Sequence, residues 1–512
     1  MEDIAKLKKD VSEGLIDSGR VVDLLAGTQR RLQATQQELQ ATQQQLQAAQ
    51  QRIADLEKQL PGPPLPQLDE PYSLNAEEQR QQQRGQKKRR RQQKNRPGRI
   101  TTAKKIAQAE RTEQVFPEGV PPRDCHLSHT RPIWRLENGR AVLVAYEVYR
   151  GPHHQYGQIP GALGRSEFGL EIILAIAYQV QVVGLSFDKV CLMFNFFQNL
   201  RLRKSQVDAL LQQLARHWEE EFETLCTLLA HAAVVQADET GWSLNSVWAF
   251  LSENARLVFF GVNKNAETLK AILDPATFAG LVISDDASVY AHFSQAQKCW
   301  AHLLRKAIKL TLLDPDDPDY RSFTDQLYAI YQEACRSQGE GRLSEAGRVR
   351  KVAECEDQIY SLCEPWWMAV DPPRAGLAHD FHLLIHEVMR LMLAEHLFSF
   401  VTAPPVTQPN GQTKPVASTN NEAERTLRSP AQARDTGRTS KTPAGARRHT
   451  ILTSVLESLR VYLPEYTIRS VLAEIKRWSA VGRSCFKELL EKLKIKPSGK
   501  STLDLVFGTS SG

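Results

Sequence analysis

The chain has 512 residues, of which 41% are apolar, and its formal net charge is +6. This length is enough for several domains, and the apolar fraction excludes a wholly disordered chain. The eight cysteines include no Cys-x-x-Cys pair, which argues against a disulfide framework or a complete zinc ribbon and suits a reducing cytoplasm. The first residues do not resemble a signal peptide, and the most apolar stretch contains a glutamate and two glutamines, so we expect no membrane span.

Residues 1–60 are predicted to form a helix with a coiled-coil segment. A leucine or isoleucine recurs at every seventh position from Leu25 to Leu60, which is a heptad signature. The second seam position is mostly Thr or Ala, so the pattern favours a modest homo-oligomer. A Gln-rich solvated helix is the alternative.

Residues 61–112 are predicted to be a Pro-rich linker followed by a basic, disordered tract. Prolines at the start of this segment end the helix, and twelve Lys and Arg residues with no Asp or Glu lie between residues 80 and 105. Their natural partner is the phosphate backbone of double-stranded DNA, and a solubilising tail is the alternative. The centre of the tract consists of Lys87, Lys88, Arg89, Arg90 and Arg91.

Residues 113–165 are predicted to form a small β-rich segment, because they are rich in Pro, Gly and short β-prone runs. One incomplete metal-ligand pattern lies here, made of Cys125, His126 and His129. It lacks a fourth ligand, so we do not expect a structural zinc.

Residues 166–230 are predicted to be helical. A basic connection ends at Lys204, and Ser205 to Asp208 has the shape of a capping box. This pattern suits a helix-turn-helix that binds DNA. An ordinary helical hairpin that packs on the core explains it equally well.

Three acidic segments stand out in the second half of the chain. Asp238 and Asp285 each end an apolar, β-prone run, which predicts two buried strands with an acid at the rim of a sheet. The third segment contains Glu424 and is predicted to begin a helix. Carboxylates from two strand ends and one helix form an all-oxygen ligand set that suits hard divalent cations, and two such ions serve phosphodiester displacement.

Each of the last two acids has a close competitor. Successive strand residues face opposite sides, so only one of Asp285 and Asp286 is expected to meet Asp238. Glu422 and Glu424 lie about 200° apart around a helix, so they occupy nearly opposite faces. The residues alone leave both choices open.

The regions around these acids complete the predicted organisation. Residues 231–300 are predicted to have β-β-β-α-β order, 301–416 to be mostly helical, 417–475 to complete the core, and 476–512 to form a C-terminal helix and tail. Five basic residues near the acids are candidates for DNA contacts, although solvated helix faces and loops explain them about as well: Arg305, Lys306, Arg428, Arg438 and Arg447.

These segments resemble the DDE transposases of the bacterial insertion sequence 66 family. The matching sequence motifs are Asp-Glu-Thr-Gly-Trp at 238–242, Ser-Asp followed by Tyr290, Cys-Trp-Ala-His-Leu-Leu-Arg-Lys at 299–306, and Asn-Asn-Glu-Ala-Glu-Arg at 420–425. The resemblance covers roughly residues 125–475. It implies an RNase-H-like catalytic core interrupted by a helical insertion, with Asp238, Asp285 and Glu424 as catalytic residues and ligands of two Mg²⁺ or Mn²⁺ ions.

We therefore expect a multidomain α/β protein whose core is a mixed sheet flanked by helices, preceded by a coiled coil and a helical DNA-binding region. The implied function is that of a cytoplasmic, nucleoid-associated transposase that cleaves transposon ends and transfers strands to target DNA. Accessory proteins of the same element are candidate partners. The alternatives are an RNase-H-like nuclease without strand transfer and a catalytically silent DNA-binding regulator.

Overall fold

The computed structural model describes residues 33, 37, 40, 44, 100–242, 245–368, 373–440, 442–497 and 499–508. The chain divides into two compact units, Met1–Gly98 and Arg99–Gly512. In the first unit, the four described glutamines are helical and exposed, and the predicted coiled coil and the centre of the basic tract otherwise lie outside the described residues. The elements below all belong to the second unit.

The second unit begins with a short helix and a three-stranded sheet. These elements are α1 (Thr102–Ala107), β1 (Arg111–Val115), β2 (His126–Glu137) and β3 (Arg140–Arg150). Residues 102–107 lie within the tract predicted to lack structure, and their helix is capped by the Thr101 hydroxyl. Strand β3 is central, parallel to β1 and antiparallel to β2. Asn138 and Gly139 join β2 to β3 with positive φ angles of 47° and 80°, the conformation of the tight turns that match strand twist.

Three helices connect this sheet to the central one: α2 (Leu170–Gln181), α3 (Phe187–Gln198) and α4 (Lys204–Ala230). The predicted capping box at Ser205–Asp208 is wrong, because α4 already begins at Lys204. The Gln206 side chain instead accepts a hydrogen bond of 2.9 Å from the Arg203 backbone N–H, which satisfies one of the donors at the helix start. The apolar stripe of α4 is buried in the largest core of the molecule, so this helix packs along much of its length.

The central sheet has five strands in the order β6-β5-β4-β7-β8. The elements are β4 (Val234–Trp242), β5 (Asn245–Ser252), β6 (Arg256–Val262), helix α5 (Ala266–Ile272), β7 (Leu281–Ser284), a 3-10 turn (Ser288–Tyr290) and β8 (Ala296–Lys298). Strands β4, β5 and β6 are antiparallel, whereas β7 runs parallel to β4 and β8 parallel to β7. The predicted mixed sheet flanked by helices is therefore confirmed.

A mostly helical segment follows the sheet and has a core of its own. It contains α6 (Trp300–Leu313), α7 (Pro318–Gly339), α8 (Glu345–Trp367), α9 (Gly376–Leu393), α10 (Ser399–Thr402) and a small hairpin of β9 (Val406–Thr407) and β10 (Thr413–Lys414). The chain then returns to the central sheet with α11 (Asn421–Asp435) and α12 (Pro443–Tyr462). It ends with α13 (Ile468–Val481), α14 (Cys485–Lys492) and α15 (Thr502–Phe507).

The two faces of the central sheet bury different helices. Val235 and Ala237 of β4 belong to the large core that includes α2, α4 and most of the apolar side of α12. Side chains alternate along a strand, so Asp238 points to the opposite face. On that face, Ala249, the cross-strand partner of Asp238, packs with Ala423 and Leu427 of α11. Helix α11 therefore covers the face that carries Asp238.

Helix α12 covers the edge strand β6 of the central sheet and contacts it through hydroxyl groups. Thr450, Ser454 and Ser458 are fully buried and recur at intervals of four, so they share one side of the helix. Their hydroxyls accept hydrogen bonds of 2.9–3.0 Å from the backbone N–H groups of Phe260, Val258 and Arg256 in β6. A buried edge strand would otherwise leave these donors unpaired.

None of the described helices is long and apolar enough to cross a membrane.

Candidate active site

Asp238 is the fifth of the nine residues of β4, so the strand continues past the acid and the predicted strand end at Asp238 is wrong. Its carboxyl is half-buried and surrounded by other acids. The pKa of its carboxyl is raised to about 7, mainly by burial and then by the negative charges of Glu239, Asp285 and Glu424, in that order of importance. Asp285 and Glu424, which are far from Asp238 in the sequence, are therefore close to it in space. The fold brings the three predicted acids into one electrostatically coupled group.

Asp285 is the first residue after β7, which runs parallel to β4 and pairs with Val234–Gln236, so β7 ends beside the middle of β4, where Asp238 lies. Its Oδ1 accepts a hydrogen bond of 3.1 Å from the Ala287 N–H. The buried Lys298 Nζ of β8 donates to the Asp285 carbonyl oxygen at 2.9 Å. Lys298 could not be recognised from sequence except by its place next to the Cys299–Lys306 motif, yet this lysine holds the backbone that presents Asp285.

Asp286 faces a different partner. Its carboxylate forms an ion pair with Arg390 of α9. Both aspartates act on the pKa of Lys298, but Asp286 also acts on His396, whereas Asp285 also acts on Asp238 and Tyr290. Asp286 therefore faces Arg390 of α9, whereas Asp285 faces Asp238.

Glu424 lies in the first turn of α11, one position past Ala423, whose side chain is buried against the sheet. Its Oε1 is 2.9 Å from Arg305 Nη2 and 3.7 Å from His302 Nε2, both on α6. Glu422 instead forms an ion pair with Arg256 of β6, and this charge lowers the pKa of Glu422 against the opposing effect of burial. The helix geometry therefore separates the two glutamates as their spacing predicted.

Glu239 occupies the face of the sheet opposite to Asp238. Its side chain is only 2% exposed and lies 2.7 Å from Lys264 Nζ. It also accepts a hydrogen bond from the buried Tyr290 hydroxyl. Strand alternation places Glu239 on the face opposite to Asp238, and no sequence pattern pointed to Lys264. Glu239 is therefore a buried carboxylate that is bonded to both Lys264 and Tyr290, and its negative charge raises the pKa of Asp238.

A second potential metal-ligand group shares Glu424. Among the described residues, one group of His, Cys, Asp or Glu ligand atoms lies within a mutual 4.8 Å, and it consists of Cys299, His302 and Glu424. Burial raises the pKa of the Cys299 thiol and lowers that of the His302 imidazole, so both are neutral near pH 7. A thiol with an imidazole suits Zn²⁺ better than Mg²⁺. The carboxylate oxygens of Asp238, Asp285 and Glu424 do not all lie within 4.8 Å of one another. Glu424 is also paired with Arg305.

Cys125, His126 and His129 do not form such a group in the described part of the chain. The buried Cys125 thiol donates to the Pro121 carbonyl oxygen at 3.5 Å, while both histidines are exposed.

The basic residues predicted to contact DNA differ in how their charge is used. Lys204 lies 2.7 Å from Asp188, and Lys306 pairs with Glu387. Arg438 donates to the Gly184 carbonyl oxygen. Arg447 is 16% exposed and pairs with Asp504 and Glu219, so its guanidinium is already engaged. Arg428 is exposed and has no hydrogen bond or ion pair with the residues that the structure describes.

An open cavity of about 780 Å³ adjoins Asp285. Asp285 lines it from the end of β7, His302 and Lys306 line it from α6, and Trp367 and Arg390 line it from α8 and α9. The helical segment between the second acid and the third therefore forms a wall next to the acidic group, with positive charge and an aromatic ring facing the same space.

The fold and this acidic group agree with the comparison to known families. The model of the transposase IS66 family matches residues 165–448, which is more than half of the chain and contains all three acids. The chain therefore belongs to the IS66 family of transposases, which confirms the resemblance and makes it a transposase that acts on DNA. No curated protein matches the chain significantly.

Proposed function

We propose that this chain is a DDE transposase that cleaves the ends of its element and joins them to target DNA. The observation that carries the proposal is the coupling of Asp238, Asp285 and Glu424, which come from two adjacent parallel strands and one covering helix. Their mutual repulsion and burial raise the pKa of Asp238 to about 7. Strongly shifted carboxyl pKa values in a group of acids are typical of functional sites.

The proposed core is RNase-H-like. Three antiparallel strands, a helix and two further strands parallel to the first give the spatial order third-second-first-fourth-fifth within the central sheet. This order supports the interpretation, and the helical segment from α6 to α10 corresponds to the proposed insertion between the second acid and the third.

The three carboxylates fit divalent cations by the chemistry of their atoms. All three supply hard oxygen ligands. At pH 8 the carboxyl of Asp238 is above its pKa of about 7, so a divalent cation neutralises the negative charge of the group where a proton does not. Asp238, Asp285 and Glu424 would hold Mg²⁺ or Mn²⁺, which would stabilise negative charge on the attacking and leaving oxygens of the phosphodiester.

The surrounding residues would position these acids and the DNA. Lys298 holds the backbone of Asp285, and Arg305 orients Glu424 by its 2.9 Å ion pair. In the open cavity, Lys306 and Arg390 would contact phosphates on either side of the reacting one by exchanging their ion pairs with Glu387 and Asp286. The tract Lys87–Arg91 would add backbone contacts that do not depend on DNA sequence. The heptad segment would bring two or more copies together at paired ends, with accessory proteins as further candidate partners.

The experiment is a cleavage and strand-transfer assay with Mg²⁺ on DNA that carries the ends of the element. Asp238→Asn, Asp285→Asn and Glu424→Gln should each lower the rate by a factor of about 10²–10³ while DNA binding is retained. The matched controls Asp286→Asn and Glu422→Gln should keep most of the activity.

The products separate the alternatives. Cleaved ends that never join target DNA would indicate a nuclease without strand transfer. DNA binding with cleavage in neither the wild type nor the controls would indicate a catalytically silent regulator and contradict the proposal. Full activity of Asp285→Asn or Glu424→Gln would mean that the neighbouring acid is the functional one.

A further inference from the structure

A second cavity, of about 740 Å³, lies on the side of α11 away from Glu424. Glu422, Thr426 and Ser429 face it from one stripe of this helix. The other walls come from β6, the first turns of α12, the loop between α11 and α12, and residues 180–187. The volume is in the range of small-molecule binding sites, and none of the three proposed catalytic acids lines it.

Several buried polar atoms of this wall have no hydrogen-bond partner among the described residues. They are the indole N–H of Trp242, the Nε of Arg256 and of Arg448, the hydroxyls of Thr439 and Thr453, and Oε1 of Gln181. Trp242 is only 1% exposed and Thr453 only 6%. Folded proteins rarely leave buried polar atoms unpaired, so this concentration in one cavity indicates an occupant that supplies partners.

The unpaired atoms are mostly donors, and the wall is positively charged. An indole or a guanidinium can donate hydrogen bonds but cannot accept them. Four arginines line the cavity against two glutamates, and the four are Arg256, Arg425, Arg438 and Arg448. Arg256 pairs with Glu422 through Nη1, and its Nε lies 3.9 Å from Glu457 Oε2. Arg448 pairs with Asp208 through Nη1, which leaves the Arg448 Nε and all of Arg425 for another acceptor.

One wall is aromatic and uncharged. Trp242 packs against Phe260 with ring centroids 5.2 Å apart, and His449 stacks on Phe260 at 3.8 Å. Burial lowers the pKa of His449 to about 3, so its imidazole is neutral near pH 7. The cavity thus combines an apolar wall with a cluster of donors.

We propose that this cavity binds the phosphate group of a nucleotide, either a free one or one within a DNA strand. A phosphate accepts hydrogen bonds at every oxygen, and guanidinium groups are its preferred partners. The Trp242 N–H and the Thr453 hydroxyl complete the donor set. The site is separate from the three acids, so ligand binding does not depend on the proposed cleavage reaction.

The test is calorimetric titration of the full-length chain with inorganic phosphate, deoxyadenosine 5′-monophosphate and deoxyadenosine. The wild type should bind the first two and not the nucleoside. Thr453→Val keeps the side-chain shape and Trp242→Phe keeps an aromatic ring, and each should weaken monophosphate binding about tenfold. Thr277→Val and Trp366→Phe make the same changes outside the cavity and should have no effect.

The outcomes are decisive in both directions. Absence of binding to the wild type, equal binding of the nucleoside, or affinities unchanged in Thr453→Val and Trp242→Phe would overturn the proposal. If it holds, competition with a DNA duplex identifies the source of the phosphate. Displacement of DNA by the monophosphate indicates a phosphate of the DNA strand, and simultaneous binding of both indicates a free nucleotide.

Discussion

At the scale of single residues, the central feature is a cluster of negative charge that the metal-free protein does not neutralise. Arg305 compensates Glu424 and Lys264 compensates Glu239, but Asp238 has no ion pair among the described residues. Its carboxyl responds by holding a proton up to about pH 7. Repulsion among these acids lowers the stability of the folded protein when no cation is bound. Such a cost is expected at a functional site that binds a cation.

We predict that Asp238→Asn stabilises the metal-free protein. At pH 8 the wild-type carboxylate is ionised among other acids, and the neutral amide removes that repulsion. The raised pKa corresponds to a gain of about 2–4 kcal/mol in the free energy of unfolding. Urea unfolding in the presence of a chelator measures this gain. Asp286→Asn, which loses an ion pair with Arg390, should not be stabilised, and a less stable Asp238→Asn protein would contradict the prediction.

The same carboxyl predicts a pH dependence. The folded-state pKa lies above the ordinary Asp value of 3.8, so the folded state binds the proton more tightly and metal-free stability decreases as pH rises through 7. A cation competes with this proton. Mg²⁺ affinity should therefore rise up to about tenfold per pH unit below pH 7 and level off above it. Titrations of Mg²⁺ between pH 5.5 and 8.5 test this, and a flat profile would contradict it.

At the scale of elements, the strands could be predicted because their signal is local. The apolar runs before Asp238 and Asp285 correspond to β4 and β7, and the β-β-β-α-β order predicted for residues 231–300 corresponds to β4, β5, β6, α5 and β7. The contacts between distant elements could not be predicted in this way. Thr450, Ser454 and Ser458 form what looks like the polar side of an amphipathic helix, yet they are buried against a strand edge. The bonds that join Tyr290, Lys264 and Glu239 likewise depend on how three segments meet.

The hydroxyl contacts of α12 give a prediction about the sheet edge. Ser454→Ala leaves the buried Val258 N–H without its acceptor, so it should lower the free energy of unfolding by about 1–3 kcal/mol. Urea unfolding of the full chain measures the loss. Ser479→Ala is the matched control, since among the described residues that hydroxyl bonds only to the Ile475 carbonyl of its own helix. It should change stability by less than about 0.5 kcal/mol. Equal losses in both variants would contradict the assigned role.

At the scale of the whole molecule, charge is distributed unevenly between the two units. Nine of the twelve basic residues between 80 and 105 belong to the first unit, whereas most basic residues predicted to contact DNA in the second unit are engaged with protein groups. The exception among the described residues is Arg428. We therefore expect the basic tract to contribute much of the charge for nonspecific DNA binding.

We predict that replacing Lys87–Arg91 by glutamines weakens DNA binding most at low salt. The logarithm of affinity should fall less steeply with the logarithm of salt concentration, by about 0.9 for each lost phosphate contact. Fluorescence anisotropy with a labelled duplex measures the slope. Arg447→Gln should leave the slope unchanged, because Arg447 is engaged by Asp504 and Glu219. An unchanged slope in the tract variant would show that the tract does not contact DNA.

The most direct test of the account is the binding of Mg²⁺ to the purified chain, measured by calorimetry at pH 8. Two ligand groups compete for Glu424, one with Asp238 and Asp285 and the other with Cys299 and His302. We expect Asp238→Asn and Asp285→Asn to lose Mg²⁺ binding and Cys299→Ser to keep it. Retained binding in Asp238→Asn together with loss in Cys299→Ser would contradict the account and assign the cation to the second group.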